Sequence, residues 1–220
     1  MIKPLEIEGL PIPLEVVYEF CEDSYEESSL CVGEIECLVS WCNGYQIVVP
    51  RGTEFSGFFD QGGWQDTLRD LRAFPWYSKR LGGWSHAGFL KGARGIVDKG
   101  LFGTLSREAP IIFMGHSLGG AVAINAAGLL SAEGFNVAGV ITLGAPRTLT
   151  RSGAKTFKKR GIPVWEFSNP GDPVPDVPFK WWGYRHVNEI ETTRGADGYS
   201  ILHNHMLPFY KEWVDTLQTG

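Results

Sequence analysis

Ile111-Ile112-Phe113-Met114-Gly115-His116-Ser117-Leu118-Gly119-Gly120 is the stretch on which the reading of the fold turns. The short apolar run over residues 110–114 reads as a buried strand, and the small, apolar residues 118–132 read as a helix. Between them lies a G-x-S-x-G pattern. A strand and a helix joined by so short a link need a sharp turn, which lifts the apical residue above the sheet and strains its backbone. Side chains at 115 and 119 would collide where strand and helix approach, which gives the glycines a physical purpose. Ser117 is therefore the candidate nucleophile. The helix begins directly after it, so the backbone N–H of Leu118 and the positive end of the helix dipole face the place where an oxyanion would develop. The plain alternative is a Gly-rich turn with an incidental serine, and the strand-helix setting is what argues against it.

Outward from this turn the chain alternates. Residues 137–143 read as a strand, 152–160 as a helix and 164–168 as a strand. Upstream, strands over 35–41 and 45–49 are joined by a turn containing Asn43-Gly44, a strong hairpin signal, and the second ends at Pro50-Arg51-Gly52-Thr53. A helix-like segment over 64–74, a Gly-rich stretch through Leu81-Gly82-Gly83 and a helix over 86–102 follow. Residues 14–27 place Leu14, Val17, Tyr18 and Cys21 at near-helical spacing among six acidic residues, the pattern of an amphipathic first helix. This order predicts an α/β protein with a mostly parallel central sheet and helices on both faces, in one domain spanning 1–220.

A serine hydroxyl attacks only when a base removes its proton and an acid holds that base in the right tautomer. In α/β hydrolases both follow the nucleophile in sequence. Of the five histidines, His86 and His116 precede Ser117, leaving His186, His203 and His205. Asp172 lies in the loop after the strand 164–168, at a strand's C-terminal end, and this position favours it over Asp176.

Several blocks together resemble the class 3, or fungal-type, lipase family. They are Pro50-Arg51-Gly52-Thr53, His86-Ala87-Gly88-Phe89, Gly115 to Gly120, Ile141-Thr142-Leu143-Gly144-Ala145-Pro146-Arg147, Asn169-Pro170-Gly171-Asp172 with Pro173-Val174-Pro175, and Gly183-Tyr184-Arg185-His186-Val187, followed by His205 and Tyr210. They run in the family's order over residues 35–214. The resemblance implies an α/β-hydrolase fold and a lipase or esterase acting on acylglycerols or related lipid esters, at a lipid–water interface. It implies a triad of Ser117, Asp172 and His205, because the family's histidine precedes a tyrosine by five residues, as His205 precedes Tyr210. Asn204 stands where the family usually has Asp. Thr53 is implied as an oxyanion-hole residue beside Leu118, and Phe55, Phe58 and Phe59 as a lid over an acyl pocket. His186 and His86 match structural positions. Residues 55–84 hold eight aromatics, about twice the density of the chain's 13%; core packing is the competing explanation for Trp64 and Phe74, and Trp181 and Trp182 could line a site or an interface.

Composition narrows the partners. A net charge of -5 argues against a nucleic-acid partner, since phosphate binding needs clustered cations, and Lys155, Lys158, Lys159 and Arg160 read as a solvated helix face. No run is long enough for a transmembrane helix, and residues 1–14 lack the apolar core of a signal peptide, so a cytoplasmic location and free thiols at Cys21, Cys31, Cys37 and Cys42 are expected. No cofactor or metal is expected. The alternative of a different class is a catalytically silent α/β-hydrolase scaffold used as a binding module.

Overall fold

The two apolar runs that flank the hairpin and the serine turn pair in the middle of one large sheet, and their alternate side chains part to its two faces. The computed structural model describes residues 9–32, 35–52, 74–193 and 203–219. Its strands are β1 (Leu30–Val32), β2 (Ile35–Cys42), β3 (Tyr45–Pro50), β4 (Pro75–Ser78), β5 (Gly83–His86), β6 (Ile111–His116), β7 (Val137–Leu143), β8 (Leu149–Thr150), β9 (Val164–Ser168), β10 (Tyr184–Arg185) and β11 (Glu191–Thr192). Its longer helices are α1 (Leu14–Glu26), α2 (Ala87–Ile96), α3 (Leu118–Ala132), α4 (Arg151–Lys158) and α5 (Leu207–Thr219). The main sheet has the order β1-β2-β3-β6-β7-β9-β11. It is parallel from β3 onward, with β1 and β2 antiparallel at one edge.

Strand periodicity sorts the core. Val48, Ile111, Phe113, Val140 and Val164 face α2, α3 and α4, whereas Ile47, Val49, Ile112, Met114, Ile141, Leu143 and Phe167 face α1 and α5. Each large apolar side chain so buried contributes roughly 1.5–3 kcal/mol. Helices thus cover both faces of a mostly parallel sheet, as the alternation predicts. The α3 helix is buried from Gly119 to Leu130 because the sheet lies under it and α2 beside it. Its one amide, Asn125, accepts from Ser85 Oγ at 2.7 Å and donates to Thr148 Oγ1 at 2.5 Å, tying α3 to β5 and the start of β8. Asn43 and Gly44 both take positive φ, 49° and 82°, the conformation a two-residue hairpin requires.

Differences from the sequence reading are greatest in one place. The Gly-rich stretch around residues 81–83 belongs to a hairpin, β4–β5, in a second antiparallel sheet of order β10-β8-β5-β4. Its strands are too short to show alternation, and Trp76, Tyr77 and Trp84 remain exposed. Phe74 is 87% exposed, so core packing does not explain it. The helix expected over 86–102 starts one residue later, with His86 as its cap, and passes through a π-helical turn, Val97–Leu101, to end at Thr104. The sequence reading has no element for α5. The segment 64–74 lies outside the described residues apart from Phe74. The four cysteines are free thiols, and burial pushes those of Cys21 and Cys37 up to about 12. Among the described residues no helix is long and apolar enough to cross a membrane.

Candidate active site

Ser117 sits at the junction of β6 and α3 with φ 55° and ψ -128°, a strained region for a side-chain-bearing residue that costs on the order of 1–3 kcal/mol. The surroundings hold it there. Its N–H donates to Leu143 O at 3.0 Å, so the next strand fixes the turn. A Cβ on Gly115 would lie 2.6 Å from the Gly119 carbonyl carbon, and one on Gly120 would lie 2.8 Å from Ala145 Cβ. A Cβ on Gly119 would strike the Pro50 carbonyl oxygen. The glycines therefore let α3 start directly above β6 while the end of β3 passes close by. Leu118 is the first residue of α3, and N–H groups in a first turn have no partner within the helix.

The loop after β9 and the turn before α5 bring the other two groups in. His205 Nε2 lies 2.8 Å from Ser117 Oγ, and Nδ1 lies 2.8 Å and 3.0 Å from the two Asp172 carboxylate oxygens. All three residues are buried. The carboxylate accepts only, so Nδ1 carries the proton and Nε2 is left to accept from the serine hydroxyl. Asp172 also accepts from Tyr210 Oη at 2.7 Å and from the Val174 N–H at 2.9 Å, so donors from three directions fix its plane. Burial and the adjacent carboxylate hold the Tyr210 phenol well above its ordinary value, which keeps it a donor. Gly144, with φ 61°, explains the Leu143-Gly144-Ala145 block: a Cβ there would lie 2.8 Å from Tyr210 Oη and 2.9 Å from Asp172 Oδ2.

The rival candidates lie elsewhere. His203 is exposed with its ring against Phe209. Asp176 is exposed and paired with Arg147 at 2.6 Å. The His186 side chain is buried between Glu166 and the Pro175 carbonyl. His86 caps α2 and stacks on Phe89. Trp181 and Trp182 are exposed, Trp181 stacking on Phe179. Thr53, Phe55, Phe58 and Phe59 lie outside the described residues. Sequence reasoning used Tyr210 only as a spacing mark and assigned nothing to Tyr25, His116 or Asn169, all of which touch the site. A cavity of about 560 Å³ lies behind the Asp172 loop, lined in part by Arg147, Asp176, Arg185, His186 and Glu189. So charged a lining does not suit an acyl chain. Among the described residues no group of three or more His, Cys, Asp or Glu side chains could hold a metal ion.

Comparison with known proteins gives the same reading of the fold. The family description "Lipase (class 3)" matches residues 50–181. The secreted mono- and diacylglycerol lipases A of Penicillium cyclopium and Penicillium camembertii are each 36% identical over 78 residues, which is 36% of this chain and 25% of theirs. The match thus spans about a quarter of the length of these relatives. Among solved structures, the Rhizomucor miehei lipase propeptide complex superposes with a TM-score of 0.63 at 24% identity, over 75% of this chain and 54% of that one. A variant of MDLA from Penicillium cyclopium superposes with a TM-score of 0.64 at 20% identity, over 85% of this chain and 82% of that one. The architecture is that of the α/β-hydrolase fold. With the family description matching well over half of its residues, the chain belongs to the class 3 lipase family.

Proposed function

We propose that the protein hydrolyses carboxylic esters, acylglycerols or related lipid esters, through an acyl-enzyme on Ser117. The observation that carries this reading is the unbroken contact from Asp172 through His205 to Ser117 Oγ, with 2.8 Å at both steps. Ser117 Oγ attacks the acyl carbon as its proton passes to His205 Nε2. The tetrahedral oxyanion is met by the Leu118 N–H at the start of α3, and Asp172 stabilises the imidazolium without taking its proton. His205 then protonates the leaving alcohol. Water, deprotonated by the same Nε2, attacks the acyl-enzyme, and the acid leaves as Ser117 regains its proton. Thr53 is the proposed second oxyanion donor. It follows Gly52, on which a Cβ would lie 3.0 Å from the His116 carbonyl oxygen, so Gly52 itself lies beside the backbone that leads to the nucleophile. The acylglycerol class is supported by the Penicillium relatives, which are named as mono- and diacylglycerol lipases.

The test is hydrolysis of p-nitrophenyl esters and of mono-, di- and triacylglycerols of graded chain length, wild type beside Ser117→Ala. Turnover that disappears in the variant supports the reading. Folded wild-type protein that turns over no ester and leaves a fluorophosphonate unreacted would instead favour a binding scaffold.

A further inference from the structure

His205 lies in a three-residue 3-10 turn, His203–His205, and two side chains from the central sheet reach across to it. His116, next to the nucleophile, places Nε2 2.8 Å from the His205 carbonyl oxygen and Nδ1 2.9 Å from Tyr25 Oη. A carbonyl accepts only, so Nε2 carries the ring proton and donates it, and Nδ1 accepts from the tyrosine hydroxyl. Burial holds the ring's pKa down to about 3 and the phenol's above its ordinary value, so the protons stay where this assignment puts them. The His116 ring also stacks on the His205 ring, with centroids 4.9 Å apart. Asn169 Nδ2, just past the end of β9, donates to the Asn204 carbonyl at 3.1 Å. Neighbouring carbonyls of one turn are thus gripped from the ends of β6 and β9, the strands that lead to Ser117 and Asp172.

We propose that His116, oriented by Tyr25, and Asn169 are positioning residues that lock the backbone of His205 to the sheet, so that its imidazole spans Ser117 and Asp172. Neither hydrogen-bonds to the reacting atoms. A short 3-10 turn has little stiffness of its own, and a displacement of about 1 Å at a reacting group can cost on the order of 10²-fold in rate. Tyr25 extends the clamp to a third segment, because a Cβ on Gly52 would strike its hydroxyl. The inference rests on Ser117 acting as the nucleophile.

The experiment compares His116→Phe, which fills the ring's space without its hydrogen bonds, with His116→Gln, which keeps one donor and one acceptor. Folding is checked by thermal melting. The readouts are kcat and KM on p-nitrophenyl butyrate and the rate at which a fluorophosphonate labels Ser117. Positioning predicts that Phe lowers kcat and labelling about 10²-fold with KM nearly unchanged, that Gln recovers at least a tenth of wild-type kcat, and that Tyr25→Phe falls between them. A role in packing alone predicts the reverse order, Phe above Gln, and that order overturns the proposal. So does a folded His116→Phe that labels at the wild-type rate. Should His116→Phe not fold, Asn169→Leu decides: a kcat loss of about tenfold at unchanged KM supports the clamp, and no loss overturns it. A wild type that ignores the phosphonate overturns the functional reading and this inference together, whereas a reactive wild type beside an equally reactive variant overturns this inference alone.

Discussion

Two buried histidine–carboxylate pairs flank the loop that leaves β9, and up to their second nitrogen they are alike. His205 Nδ1 meets Asp172 at 2.8 Å and His186 Nδ1 meets Glu166 at 2.8 Å. Both pairs are withdrawn from solvent. The difference lies at Nε2, which faces Ser117 Oγ in the first case and the Pro175 carbonyl in the second. A hydroxyl can surrender a proton to a bare nitrogen. A carbonyl can only accept one, so His186 must donate from Nε2 and share a further proton between Nδ1 and Glu166, while His205 must keep Nε2 empty. Burial and an acid partner do not mark a catalytic histidine; the third atom does.

The largest expected effects remove the pair that meets the hydroxyl. Ser117→Ala or His205→Ala should lower kcat by about 10⁶-fold, the scale for losing the nucleophile or base of a serine triad. Asp172→Asn should lower it by about 10⁴-fold with little change in KM, because the amide donates to Nδ1 and leaves the proton on Nε2, where the serine needs a base. Steady-state hydrolysis of a soluble ester measures all three.

The same amide exchange at the other pair should be mild. In Glu166→Gln the amide donates to Nδ1 and keeps the proton on Nε2, which is what the Pro175 carbonyl requires. The Gln oxygen can still accept from the Asn188 N–H, now 2.9 Å from Glu166 Oε2. Stability should change by less than about 1 kcal/mol, whereas Glu166→Ala, which strands His186, should cost about 3 kcal/mol. Activity per folded molecule should stay within about tenfold of wild type in both. Urea unfolding beside turnover separates the two. A Glu166→Gln as inactive as Asp172→Asn would collapse the distinction between the pairs.

How far each part could be read from sequence follows from the range of the contacts that make it. The spans of α3, β7 and β9 were legible because uninterrupted apolar runs in a central sheet leave little to tertiary choice. Ser117 announces itself locally, since Gly115 must clear the start of α3 a few positions on, although Gly119 is demanded by the distant end of β3. Asp172 needed the topological argument that a strand had just ended. His205 could be singled out from His203 and His186 only through family spacing. The groups that hold its turn come from 35 residues away in Asn169 and 89 in His116, and Tyr25 is a further 91 from His116. No local pattern encodes such meetings. The small sheet was missed for a different reason: strands of two to four residues carry no period, and its aromatics face solvent.

His116 is another buried histidine beside the site, and it sharpens the comparison through pH. Among the described residues, Tyr25 faces it from α1, His205 from the turn and Tyr210 from α5; the Asp172 charge lies beyond His205. Burial and the neighbouring His205 lower its pKa from 6.5 to about 3. The unfolded chain therefore takes up a proton near pH 6.5 that the folded chain refuses until about pH 3. The stability contributed is fully present above pH 6.5 and is lost as pH falls, at a slope approaching about 1.4 kcal/mol per pH unit for one proton. His116→Gln removes this titration, so its unfolding free energy should fall less steeply than that of wild type between pH 6.5 and pH 4. Urea melts across that range measure the difference in slope. Parallel curves would mean that His116 is charged in the folded protein. Its Nδ1 would then donate to Tyr25, and the imidazolium formed on His205 in each turnover would lie against a second cation.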